Sequence, residues 1–207
     1  MIRNPLRICI ISHNITLANI IALFWTNVFA RRRSLQFLFN SDEKYFQGLI
    51  SILRNETFNH PIQLIFRIFN TKNRIEMYTI DLENLFKFPF LKKTNSVVLI
   101  IDKNLQDSDL SAFLHNIIRF FGRRSLLKVK IRKPLIIILI NKELSSEHLY
   151  TIRRKTQRYS IYSYSDIDLR KDFIELIKRR DDTNTLKEPL KWLLLTTKGH
   201  QFISQYI

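Results

Sequence analysis

Two stretches decide the fold: Ser96-Val-Val-Leu-Ile-Ile-Asp102 and Pro134-Leu-Ile-Ile-Ile-Leu-Ile-Asn141-Lys142. Each is a short, unbroken apolar run that ends on a polar residue. A strand covered by helices on both faces reads this way, because both sets of its alternating side chains meet apolar neighbours. A strand with one wet face would alternate polar and apolar residues instead. The polar terminus then stands at the carboxyl edge of a parallel sheet, where α/β proteins gather functional side chains.

Outward from these runs, strands and helices alternate. Arg7-Ile-Cys-Ile-Ile11 marks a strand within Leu6–Ser12. Helical spacing follows, with Leu17, Ile20, Ile21, Phe24 and Val28 on one face. Arg31-Arg32-Arg33 closes that helix and suits the negative end of its dipole. Leu35–Phe39 reads as a strand, and Asp42 as the cap of a helix carrying Tyr45, Leu49, Ile50 and Leu53. Ile62–Phe69 and Ile75–Asp81 predict a hairpin around Asn70–Arg74, a loop longer than the tight two-residue type. Asp107 or Ser108 is expected to cap a helix with Leu110, Phe113, Leu114, Ile117 and Ile118 inward and Gly122 at its end. Ser145-Ser146-Glu147 opens a helix to about Thr156, and the alternating tyrosines of Tyr159–Tyr164 read as an edge strand. Asp166 or Asp168 caps a helix with Phe173, Leu176 and Ile177 inward, and a last helix runs from Leu186 to about Tyr206.

This alternation predicts an α/β fold: a three-layer, mainly parallel sheet with helices on both faces and an antiparallel hairpin at one edge. Residues 1–182 are expected to form that domain and residues 183–207 a C-terminal helical extension. At 207 residues with 45% hydrophobic content, the chain can build one sizeable core.

The charge is lopsided. Lys and Arg number 34 against 18 Asp and Glu, a formal net charge of +16. A surface of that sign attracts nucleic acid, anionic membrane or acidic protein. Scarce Ala, Gly and Val beside abundant Ile, Lys, Asn and Phe carry the signature of an AT-rich genome. That signature predicts an intracellular protein of a plastid or mitochondrion, with the nucleus as the alternative. Codon bias raises Lys but does not remove acids locally, and no Asp or Glu occurs from Met1 to Ser41 or between Asp109 and Glu143. No stretch reaches the ~18 uninterrupted apolar residues of a membrane span. Cys9 is the only cysteine and lies in an apolar run, which predicts a core residue rather than a nucleophile.

The strand ends carry a resemblance. Asp102 ends its strand as a metal-binding Walker B aspartate does, but Lys103 follows where ATPases place a glutamate. Asn141-Lys142-Glu143-Leu144 stands where small GTPases carry Asn-Lys-x-Asp, and Asp81-Leu-Glu-Asn84 where they carry Asp-x-x-Gly. Between the first strand and helix lies only Ser12-His-Asn-Ile-Thr16, too short for a phosphate loop and without Gly or Lys. The three glycines, Gly48, Gly122 and Gly199, are far apart, whereas a phosphate loop needs them close together. From Leu6 to Arg180 the chain thus resembles a P-loop-NTPase fold lacking its phosphate loop, like the degenerate small GTPases of the centromere protein M type. Ser34–Asn59 would be an insertion in that fold. A second resemblance covers Leu35 to about Arg180. Leu35-Gln-Phe-Leu-Phe-Asn-Ser-Asp-Glu-Lys-Tyr-Phe46 and Leu85-Phe-Lys-Phe-Pro-Phe-Leu91 look like motifs of the clamp-loader delta subunits of DNA polymerase III. Both resemblances imply an assembly subunit that does not hydrolyse nucleotide. An antiparallel pair from Ile62 to Asp81 would favour the first, and an all-parallel sheet the second.

The most functional-looking surface is basic. Arg119, Arg123, Arg124, Lys128, Lys130, Arg132 and Lys133 surround a helix end and the loop before the Pro134 strand, and Arg153, Arg154, Lys155 and Arg158 follow that strand. A parallel topology puts both groups on one rim, where they would hold phosphates. The five histidines have no metal-ligand spacing, so no metal is expected. The expected function is a non-catalytic basic subunit of a nucleic-acid-associated assembly, DNA- or RNA-binding, without cofactor or catalytic residues. The partner is nucleic acid or an acidic protein. Two alternatives stand beside it: an enzyme with a small-molecule pocket at the strand carboxyl ends, and a pseudo-GTPase regulator in a targeting or trafficking complex.

Overall fold

The structure, a computed structural model, describes residues 6–30, 35–37, 62–68, 71–125, 128–165 and 187–197. Its elements in chain order are β1 (Leu6–Ser12), α1 (Ile15–Ala30), β2 (Leu35–Phe37), β3 (Ile62–Ile68) and β4 (Thr71–Asp81). Two 3-10 helices, Leu82–Lys87 and Pro89–Lys93, then form a strap. After it come β5 (Ser96–Asp102), α2 (Asp107–Phe121), β6 (Arg123–Ser125), β7 (Lys128–Lys130) and β8 (Leu135–Ile140). The chain closes with α3 (Ser146–Lys155), β9 (Tyr159–Tyr164) and α4 (Lys187–Thr196). The expected helices after Asp42 and after Asp166 and the closing arginines 31–33 lie outside the described residues; the last helix, expected to run to about Tyr206, ends at Thr196 with Thr197 in a bend.

The main sheet has the order β2-β3-β4-β1-β5-β8-β9. Five strands, β4, β1, β5, β8 and β9, run parallel. At one edge β3 runs antiparallel to β4, and β2 to β3. The mainly parallel α/β fold and its antiparallel edge are therefore present as the alternation predicts. The hairpin differs in detail. The ladder continues to Ile68 opposite Thr71, so only Phe69 and Asn70 separate the strands, not the five-residue loop expected. Lys72 and Asn73 pair with Arg67 and Phe66, because ladder bonds come from the backbone and polar side chains do not end them.

Strand parity sorts the core into two layers. Ile8, Ile10, Val98, Ile100, Ile136 and Ile138 face one way and pack with α1. Cys9, Ile11, Val97, Leu99, Leu135 and Ile137 face the other way and pack with α2. Every residue of β5 and β8 is buried, which explains their unbroken apolar runs. The helix drawn as a C-terminal extension contributes Leu190 and Leu193 to the α1 layer. Burial pushes the Cys9 thiol far up, as befits a core residue. Among the described residues no helix is long and apolar enough to cross a membrane.

The strap replaces a crossover helix between β4 and β5. A 3-10 helix has three residues per turn, so positions three apart share a face. Leu82, Leu85 and Leu91 obey that spacing and pack on the α2 layer. The Asp81 side chain accepts the Glu83 N–H at 3.3 Å and caps the first turn.

Helix α2 starts one residue earlier than the expected caps allow. Gln106 is its N-cap and makes no side-chain bond, while Asp107 stands in the first turn. Its charge suits the positive dipole end there. Gly122 ends the helix, its N–H reaching the Ile118 carbonyl at 2.8 Å, but in extended backbone with φ −68°. Glycine's left-handed freedom is not used at that position.

An ion pair between a partly exposed arginine and a buried glutamate ties β1 to β4. Arg7 Nε donates to Glu76 Oε2 at 2.8 Å, and the Tyr78 hydroxyl donates to the same oxygen at 2.9 Å. Glu76 is only 4% exposed. Arg7→Met is expected to lower unfolding free energy by roughly 1–3 kcal/mol, because a buried carboxylate loses its countercharge. Adding Glu76→Gln should recover part of that loss. Urea denaturation of both variants measures it.

Candidate functional site

In an open α/β sheet, ligands bind beyond the strand carboxyl ends where the chain reverses its direction of travel across the sheet. Here that point lies between β1 and β5, since β1 has β4 on one side and β5 on the other. The residues there largely engage one another, although the buried His13 Nδ1 has no hydrogen-bond partner among the described residues. Asp102 is 5% exposed, and its Oδ1 lies 3.0 Å from His13 Nε2. Asn104 donates its backbone N–H to Oδ1 at 3.1 Å and its side-chain amide to Oδ2 at 3.2 Å. Ser12 Oγ accepts the Asn14 N–H, and Asn14 Oδ1 accepts the Thr16 N–H, so the short turn closes on itself before α1. Asp102 thus caps the end of β5 through Asn104, and its charge partner is His13.

Burial pushes the Asp102 carboxyl up, but the His13 and Asn104 hydrogen bonds outweigh it and hold the group below the usual carboxylate range. Its contribution to stability is therefore complete above the ordinary aspartate value of about 4 and is lost as pH falls through the lower folded value. Asp102→Asn is expected to flatten the acid limb of a stability–pH profile. Denaturant titration at a series of pH values below 5 reads the difference.

Asn141 and Lys142 close the neighbouring strand end. Asn141 has φ 51°, the only positive φ among the described non-glycine residues. Asparagine tolerates that region better than most side chains. Its N–H bonds the Tyr164 carbonyl at 2.8 Å, which turns the chain out of β8 beside β9. Lys142 Nζ reaches Asp107 Oδ1 at 2.7 Å and holds that carboxyl below its usual range. Among the described residues no three His, Cys, Asp or Glu side chains converge as metal ligands would.

The basic residues gather at the opposite end. Parallel strands require α2 and α3 to return from the carboxyl edge to the amino edge. Their last turns, with Arg119 on α2 and Arg153, Arg154 and Lys155 on α3, therefore lie at the strand amino ends. The segment expected as a loop before the Pro134 strand contains an antiparallel ribbon, with Arg123 opposite Lys130 and Ser125 opposite Lys128. Strand β7 touches both α2 and α3. The two basic stretches are stitched backbone to backbone. The Ile131 N–H donates to the Lys155 carbonyl at 2.7 Å, and the Gln157 N–H to the Ile131 carbonyl at 3.1 Å. The Leu135 N–H donates to the Arg158 carbonyl at 3.0 Å. One rim thus carries both groups. Arg119, Arg132, Arg153, Arg154 and Arg158 are exposed, and Lys130 and Lys155 half-buried. The side chains of Arg123, Arg124 and Lys128 lie outside the described set.

Lys133 behaves differently from its neighbours. Its ammonium donates to the backbone carbonyls of Lys92 and Thr94 and sits over the Phe121 ring, 5.5 Å from the centroid. It anchors the strap to the sheet and is not offered to a ligand.

Two features escape sequence reasoning. Phe86, Phe88 and Phe90 of the strap are 48%, 39% and 48% exposed. Leu85 and Leu91 on either side are buried, whereas these three alternating rings stand outward; Phe88, at the junction of the two 3-10 helices, breaks the three-residue spacing. The second feature is a cavity of approximately 530 Å³ between α2 and α3, with Ser111, His115, Arg119, His148 and Lys155 in its lining. Ser111 Oγ lies 3.0 Å from His148 Nε2, and Ser145 Oγ 2.8 Å from His148 Nδ1. Ser145 also caps α3 by accepting the His148 N–H. The imidazole bridges the N-terminal halves of the two helices, with a hydroxyl at each nitrogen and, among the described residues, no carboxylate hydrogen-bonded to it. Ser145 reaches His148 as the helix cap, but Ser111 is 37 residues away in sequence, and no spacing rule anticipates its contact.

No model of a known protein family matches the chain. No curated protein matches it either.

Proposed function

We propose that this protein is a non-catalytic, basic subunit of a nucleic-acid-associated assembly, built on a P-loop-like fold without a phosphate loop. The observation that carries this reading is the division between the two ends of the sheet. At the carboxyl edge, Asp102 is engaged by His13 and Asn104, and Lys142 by Asp107. At the amino edge, exposed arginines from α2 and α3 flank a backbone-stitched ribbon. Phosphate needs only such a cationic surface, so binding would be salt-sensitive and tolerant of sequence.

The strand order supports the degenerate small-GTPase resemblance over the clamp-loader one, because the β3–β4 pair is antiparallel. That resemblance implies a scaffold whose work lies on its surface. The enzyme alternative draws some support from the His148 cavity, although that cavity lies between helices and not at the strand ends.

Two measurements test the proposal. Affinity for mixed-sequence DNA and RNA should fall steeply as salt rises over about 50–200 mM. Nucleoside triphosphates, with or without Mg²⁺, should leave the melting temperature unchanged. Salt-insensitive binding, or none, sinks the reading; a nucleotide-dependent rise in melting temperature points to the enzyme instead.

A further inference from the structure

We propose that the strap is a stacking platform that makes the basic rim selective for single-stranded nucleic acid; this rests on the nucleic-acid reading above. Phenylalanine ordinarily sits inside. Phe24, Phe113, Phe120 and Phe121 are all at most 4% exposed, whereas Phe86, Phe88 and Phe90 stand out within one short segment. They account for three of the five large apolar side chains exposed among the described residues. Clustered exposure of that kind marks a contact surface.

The rings fall into two groups. Phe88 meets Phe90 edge to face at 5.8 Å, Phe90 meets Tyr78 at 5.6 Å, and Phe86 meets Phe120 at 5.5 Å. Buried Phe120 thus holds Phe86, and half-buried Tyr78 holds Phe90, which lowers the entropy lost on binding. The border is cationic. Arg119 lies 5.9 Å from the Phe86 centroid and Lys92 5.2 Å from that of Phe120. Lys87 and Lys93 are exposed beside them, and Glu83 is the only acid from Leu82 to Lys93. An acidic protein would satisfy the charges alone. Unpaired bases satisfy both features, since their faces stack on aromatic rings while the phosphates meet the cations. A duplex keeps its bases stacked on one another and offers only phosphates. Arg119 belongs to both the strap's border and the rim, so one strand can run from rings to cations.

The test compares oligouridylate, oligothymidylate and a DNA duplex of equal length by fluorescence anisotropy. The wild-type chain should prefer the single strands. A triple variant, Phe86→Leu with Phe88→Leu and Phe90→Leu, keeps apolar bulk and every charge. It should bind single strands at least about 10-fold more weakly, with an unchanged salt slope and unchanged duplex affinity. Ultraviolet crosslinking of wild-type protein to oligouridylate should label the peptide bearing residues 86–90, a readout that needs no variant to fold. Equal affinity for single strand and duplex overturns the proposal, as does a leucine variant that binds like wild type or crosslinks confined to other peptides. An acidic-protein platform would give those negative results. If neither nucleic-acid form binds in a salt-dependent way, the broader functional reading fails along with it.

Discussion

Replacing Arg119, Arg132, Arg153, Arg154 and Arg158 together by glutamine is expected to weaken nucleic-acid binding by on the order of 10²–10³-fold at about 0.15 M salt. Each phosphate contact to a single strand contributes about 0.7 to the slope of log affinity against log salt. Losing five contacts should therefore lower that slope by about 3.5. All five side chains are exposed, so the variant should melt close to wild type. That control separates lost affinity from lost fold. An unchanged slope would show that the rim does not meet phosphate. Lys133 is left out of the set because it bonds the Lys92 and Thr94 carbonyls; its replacement would disturb the strap and mimic a binding defect.

Phe113→Ala is expected to cost roughly 3–5 kcal/mol of stability, the largest single-site effect among these predictions. Phe113 is fully buried on α2, against the β1, β5 and β8 side chains of its layer. Truncation loses the transfer free energy of the ring and leaves a cavity that a sheet clamped by helices on both faces fills poorly. Phe113→Leu conserves more volume and should cost less. Equilibrium urea unfolding reads both as midpoint shifts at constant slope. A loss under about 1 kcal/mol for alanine would mean that this layer is loosely packed.

The fold was legible because its core strands are apolar on both sides. Ser96–Asp102 and Leu135–Ile140 are buried throughout, and such runs exclude a half-wet sheet. The edge was harder to read. Thr71, Lys72 and Asn73 belong to β4 although nothing apolar marks them, because an edge ladder is sustained by backbone bonds. The ribbon from Arg123 to Lys130 escaped notice for the same reason. Of the site, the basic residues were legible as charge and their common rim as topology. The diversion of Lys133 was not, because its partners are carbonyls, which no side-chain pattern reports. The partners of Asp102 and His148 stayed hidden too. His13 and Ser111 reach them only through tertiary contact, 89 and 37 residues away in sequence.

The Lys133 clasp bears on how affinity would accumulate. One ammonium joins the segment before β8 to the carbonyls at the end of the strap, so rings and cations ride on a single rigid body. A strand that touches both makes one encounter with a preformed surface, not two encounters joined by a tether. Its gains then combine without a linker's effective-concentration penalty. Without the clasp, as in Lys133→Met, the strap would be held mainly by Leu82, Leu85 and Leu91, and the ring contacts would bear more of the ordering cost.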